Sequence, residues 1–223
     1  MKASKKLAST ILALSVLVFA GWISPAQAEL PAVTLDTFTP GSRANSLASL
    51  KLRKQDAGKA LHGSVAWDGS ELTADVRLEK EIVKSALLRG NQDNGLIGMF
   101  IGEMSERNMV PTLLVSDDVK VNFLREAAEK GKDPDYCRES TVEAMGTWAG
   151  DGKKLLTVLF LPEKAFLSAR AAFKESPAAR LQDILKPHGK DRVYALTLTR
   201  DDDRLAFFIG VLENANDYLK GWK

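Results

Sequence analysis

The chain has 223 residues, of which 45% are hydrophobic, 27% charged and 7% aromatic. That balance is too apolar for a disordered chain and ordinary for a globular one, and the length suits a single domain with room for two small ones. The charge, 31 basic against 29 acidic residues, lacks the basic excess of a nucleic-acid binder.

Residues 1–28 read as a secretory leader. Lys2, Lys5 and Lys6 precede an apolar run from Ile11 to Ile23, Ser24-Pro25 breaks it, and Ala26-Gln27-Ala28 offers the small residues of a cleavage site. The run is shorter than the ~20 apolar residues of a spanning helix, so cleavage before Glu29 is expected rather than anchoring. Glu29 in place of cysteine argues against a lipid anchor. The three lysines leave with the leader, so 28 basic and 29 acidic residues remain. Export to the periplasm is expected, with secretion as the alternative. No membrane span should remain after cleavage.

Residues 29–46, with Pro31, Pro40 and Gly41, read as an extended lead-in to a single globular domain over 47–223. Leu47 to Ala57 suggests a short helix stopped by Gly58. Leu61, Gly63, Val65 and Trp67 alternate with polar or small residues up to Asp68-Gly69, and Leu72, Ala74, Val76 and Leu78 alternate after it. Two such runs around Asp-Gly predict a hairpin over 61–78. Ile82, Val83, Ala86 and Leu87 then fit one helical face, with Gly90 as its stop.

Leu96–Ile101 and Pro111–Val115 read as buried strands. Ser116-Asp117-Asp118 would cap a helix reaching Lys130, ended by Gly131. Val142, Ala144, Gly146 and Trp148 alternate before Gly150-Asp151-Gly152, and Leu155 to Leu161 follows, predicting a second hairpin over 141–161. Pro162 opens a helix burying Phe166, Ala169 and Phe173. A short helix carries Leu181, Ile184 and Leu185 up to Pro187. A third hairpin spans 192–213, and Tyr218, Leu219 and Trp222 could dock a short tail. The two hairpin-helix units, each with a tryptophan before its turn, look alike; coincidence is preferred to duplication. Hairpins outnumber crossovers, which predicts an α+β fold with a largely antiparallel sheet and helices packed on it. An outer-membrane barrel is disfavoured by the helices and the few aromatics.

Chemistry is sparse. The chain contains one cysteine, so no internal disulfide can form. Cys137 could be buried and inert, paired with another chain, or reactive, and the incidental structural thiol is preferred. His62 and His188 are the only histidines. Neither G-x-S-x-G nor a mature S-x-x-K occurs. Cys137 with His188 is the remaining catalytic pairing on paper. No cofactor and no metal are expected, since Cys and His lie far apart in sequence and Asp201-Asp202-Asp203 and Asp133-Pro134-Asp135 read as solvated turns. The basic stretches Lys51, Arg53, Lys54 and Lys186, His188, Lys190, Arg192 read as charged surface. His62 reads as a surface or sheet-edge residue, and Trp67, Trp148 and Trp222 as core or docking groups. The expected function is a non-catalytic binding or accessory factor with a protein or small-ligand partner in the cell envelope. The alternative is a periplasmic hydrolase or thiol-dependent enzyme using Cys137 with a neighbouring histidine.

Overall fold

A short strand, β1 (Arg53–Gln55), starts a nine-stranded sheet in which every pairing is antiparallel. The computed structural model describes residues 29–117, 119–150, 155–199 and 203–218. The leader, Asp118, Asp201-Asp202, Leu219 and Trp222 lie outside the described residues. The α+β architecture expected from the hairpins is the one observed.

β2 (Ala60–Trp67) and β3 (Ser70–Glu79) form the first hairpin. Asp68 and Gly69 take φ of 48° and 79°, as a two-residue primed turn requires to match the strand twist. Lys80 and Glu81 repeat that geometry, with φ of 52° and 61°, and lead into β4 (Ile82–Asn91). The segment expected as a helix after Glu79 is therefore a third strand. A β-bulge explains the misleading pattern. Arg77 pairs with Ser85 but Leu78 pairs with Val83, so Lys84 is an extra residue and the alternation slips by one. Val83 and Ala86 then share a buried face at a spacing of three, which imitates a helix.

Helix α1 (Asn94–Glu106) replaces the strand expected at 96–101. The Asp93 carboxylate caps it, accepting the Gly95 and Leu96 N–H groups at 2.7 and 3.3 Å. Leu96, Phe100 and Met104 recur every four residues on its buried side. β5 (Met109–Ser116) is the buried strand expected there, and β6 (Val119–Asn122) occupies what was expected to be the start of a helix. Helix α2 (Phe123–Lys130) begins later, capped by Asn122, and ends on Gly131 in the left-handed conformation.

Helix α3 (Pro134–Gly150) corrects the expected hairpin over 141–161. Asp133 accepts the Tyr136 N–H at 2.9 Å at its start, and Cys137 and Thr141, one turn apart, are its fully buried residues among those described. The alternation from Val142 to Trp148 is fortuitous, because Val142 faces solvent. With a strand at 82–91 and a helix at 134–150, the likeness between the two hairpin-helix units vanishes. β7 (Leu155–Pro162), α4 (Glu163–Glu175), α5 (Leu181–Leu185), β8 (Arg192–Thr199) and β9 (Arg204–Val211) follow the expected order. Helix α6 (Leu212–Tyr218) follows β9.

The strand order is β1-β2-β3-β4-β9-β8-β7-β5-β6. On one face a continuous row runs Gly63, Ala74, Leu88, Phe207, Leu196, Val158, Leu114 and Val121. Phe100 of α1 stacks on Phe207 with ring centres 4.8 Å apart and meets Phe160 edge-on, so α1 lies on this face. Trp67 also meets Phe207 edge-on at 5.0 Å, which places it in the core. The opposite row starts polar, with His62 and Asp75, passes half-buried Leu87, and becomes buried at Phe208, Ala195, Leu159 and Leu113. Helix α4 packs on β5 and β7 at the covered end and against α2. The β2–β4 end of that second face is left to water, as antiparallel sheets permit.

Residues 31–50, expected as an extended lead-in with a helix after it, fold onto the body. Pro31–Val33 hydrogen-bond to the edge of β2 at Ala66. Two 3-10 turns, Leu35–Phe38 and Ala44–Leu50, bury Leu35, Phe38, Leu47 and Leu50.

Candidate functional site

Cys137 is fully buried on the sheet side of α3, its Sγ 4.0 Å from the Phe123 carbonyl. Burial, helped by Asp133 and Glu126, pushes its thiol up to about 11, opposite to the shift a reactive cysteine needs. His188 lies in a 3-10 turn after α5, where its Nδ1 meets Asp191 at 2.9 Å. The two residues thus have separate partners, and no hydrogen bond joins them. His62 lies on the open sheet face, with Nδ1 2.6 Å from Asp75 Oδ1, and Arg89 grips the other oxygen of the same carboxylate. Ser64 is the next residue of β2 on that face, but among the described residues no hydroxyl is hydrogen-bonded to the imidazole. A His–Asp pair without a nucleophile lacks the first member of a triad.

Several members of the basic stretches are held in ion pairs. Lys54 pairs with Glu81, Lys190 with Glu213, and Arg192 with Asp36. Among the described residues no group of three or more His, Cys, Asp or Glu could hold a metal ion, and no helix is long and apolar enough to cross a membrane.

Two large concavities lie among the described residues. One, of about 800 Å³, is a trough on the open sheet face between the Gln55–Lys59 loop and α6. Among the charges lining it, Lys84 pairs with Glu79 at 2.6 Å, and Asp75 is held by His62 and Arg89 next to the trough. A ligand there would have to compete with those pairs.

The other is a cleft of about 510 Å³ between α1 and α3, floored by β5 and β7. Ile101 and Met104 come from α1, Met109 and Pro111 from β5, Phe160 from β7, and Thr141 and Val142 from α3. Its size and its mainly apolar walls with a few polar groups are those of a ligand pocket. Val142 is 58% exposed, one of two large hydrophobic residues left exposed among those described. Met104 and Met109 form part of its buried floor.

Arg138 sits at the cleft but is fully committed. Its Nε donates to the Met109 carbonyl at 3.3 Å, its Nη2 to Glu163 at 2.7 Å and its Nη1 to Asp135. Burial opposes its charge, yet the two carboxylates outweigh that and raise its pKa above the ordinary value. Arg138 therefore braces α3 against β5 and α4. On the rim, Glu139 and Glu143 lie one helical turn apart around Val142, and neither has an ion pair among the described residues.

Sequence reasoning missed this cleft for a physical reason. It depends on 134–150 being helical, and the alternation around Val142 pointed to a strand. An unburied valine between two glutamates on a helix was the available signal. The chain matches no protein-family model, no curated protein and no solved structure.

Proposed function

We propose that this protein is an exported, non-catalytic binding factor of the cell envelope, and that the cleft between α1 and α3 is its binding site. The observation that carries the reading is an apolar cleft of ligand size with solvent-exposed Val142 at its mouth. Apolar surface left in water gains about 25 cal/mol per Å² when a partner covers it. Export is supported by the charged, apolar and A-x-A zones of residues 1–28. The buried, poorly acidic thiol weighs against the thiol-enzyme alternative.

The test is saturable binding of Nile red, a neutral apolar dye, to the purified protein and to Val142→Glu. Since Val142 is exposed, the variant should fold normally by circular dichroism and bind the dye about tenfold more weakly. Equal binding by both proteins would overturn the site. N-terminal sequencing of material from the cell envelope tests export: a start at Glu29 is expected, and an intact Met1 would overturn it.

A further inference from the structure

Resting on that reading of the cleft, we infer that its occupant is a short segment of a partner protein in which an apolar anchor is flanked by lysine or arginine. The charges around the cleft select such a partner. Arg138, the cation on its wall, is already neutralised by Asp135 and Glu163. Glu139 and Glu143 remain, side by side on the exposed face of α3 and flanking Val142. The apolar floor is therefore bordered by net negative charge.

Carboxylates at the rim of an apolar site favour a cationic partner mainly through encounter rate and selectivity, and they repel an acidic one. A basic flank meets Glu139 and Glu143 while the anchor lies in the cleft over Met104, Met109 and Phe160, beside Val142. An anionic amphiphile, such as a fatty acid or an acidic lipid, would place like charge against the rim. Arg138, Glu139 and residues 141–143 of α3 line one side of the cleft, with exposed Val142 at its mouth, which suits a peptide laid against a helix face.

The experiment uses two fluorescein-labelled twelve-residue peptides, one with Leu, Phe and Met interspersed with four lysines and one with glutamates at those four positions. Fluorescence anisotropy is followed with the purified protein at low and high salt. The lysine peptide should bind, weaken as salt rises, and lose about tenfold in affinity against the double variant Glu139→Gln, Glu143→Gln. The variant carbamoyls keep the carboxylate shape, and unchanged melting temperature checks the fold.

Equal binding of the two peptides, or unchanged binding to the double variant, would overturn the inference. Failure of the lysine peptide to bind while dodecyltrimethylammonium displaces Nile red would also overturn it, by making the ligand a small cationic amphiphile. Nile red binding separates the layers. If the dye binds wild type but not Val142→Glu while the peptides show no charge preference, the cleft stands and only the partner class falls.

Discussion

Arg107 and Asp36 lie 71 residues apart in sequence and meet through two parallel hydrogen bonds of 2.9 and 3.0 Å. The guanidinium just beyond α1 grips a carboxylate in the first 3-10 turn. Arg192 of β8 donates to the same carboxylate at 2.9 Å and to the Leu35 carbonyl at 2.8 Å. One aspartate thus ties the N-terminal segment to α1 and to the C-terminal hairpin.

That arrangement makes a prediction about acid stability. Hydrogen bonds from Arg107, then its charge and those of Arg192, hold the Asp36 carboxyl below its ordinary value of 3.8 against the opposing effect of burial. A depressed folded-state pKa means that the unfolded chain takes up the proton first. The stabilisation is present above 3.8 and is lost as pH falls through the lower folded-state value. Asp36→Asn should cost about 1 kcal/mol at neutral pH, as expected of a partly exposed ion-pair network. It should also flatten the melting temperature profile below pH 4. A variant with the same acid profile as wild type would show that the network is energetically idle.

The thiol gives a second prediction. Cys137 is 0% exposed and its pKa is raised from 9.0 to about 11. At pH 8 a disulfide-exchange reagent should label the folded protein very slowly, and should label it fully within minutes in guanidinium. The raised value also means that the unfolded chain loses its proton first as pH rises, so stability should fall between pH 9 and 11. Cys137→Ala should remove that alkaline loss. Rapid native labelling at pH 8 would show that α3 opens readily from the sheet.

Two glycines should fail for different reasons. At Gly90 an added methyl would stand 2.4 Å from Leu72 Cδ2 and 3.3 Å from the Glu71 carbonyl, inside a packed sheet face. Gly90→Ala should cost about 1–3 kcal/mol through overpacking. Gly131 has open space around it but a φ of +66°, because it ends α2 in the left-handed conformation. Gly131→Ala should cost about 1 kcal/mol through backbone strain alone. A smaller Leu72 side chain should rescue the first variant and not the second. Urea unfolding of wild type, the two glycine variants and each of these combined with the Leu72 substitution measures both effects.

The aromatic cluster carries the largest expected loss. Phe100 is fully buried between Phe207, Phe160 and Trp67. Phe100→Ala should destabilise by about 3–5 kcal/mol and change the environment of Trp67, visible as altered near-ultraviolet dichroism. A loss below 1 kcal/mol would mean that α1 contributes little to the core.

The sequence alone determined the elements whose signals are local. Asp68-Gly69 could make only a tight hairpin turn, Gly131 could end a helix, and Pro162 could open one with Phe166, Ala169 and Phe173 inward. The alternation in β2 and β3 stated that one face of each is buried, and the hairpins around Asp68-Gly69 and between β8 and β9 pointed to the α+β class. Tertiary structure decided where alternation and helical period were both readable. The bulge at Lys84 exists because β3 and β4 pair, and its phase slip made a strand look helical. Val142 to Trp148 alternates by accident, and 134–150 is a helix because Asp133 caps it and Cys137 and Thr141 pack on the sheet. The cleft arises only when α3 settles beside α1, bringing Met104, Met109, Phe160 and Val142 together from four separate elements. Such contacts depend on long-range packing rather than on neighbours in the chain, so no local pattern encodes them.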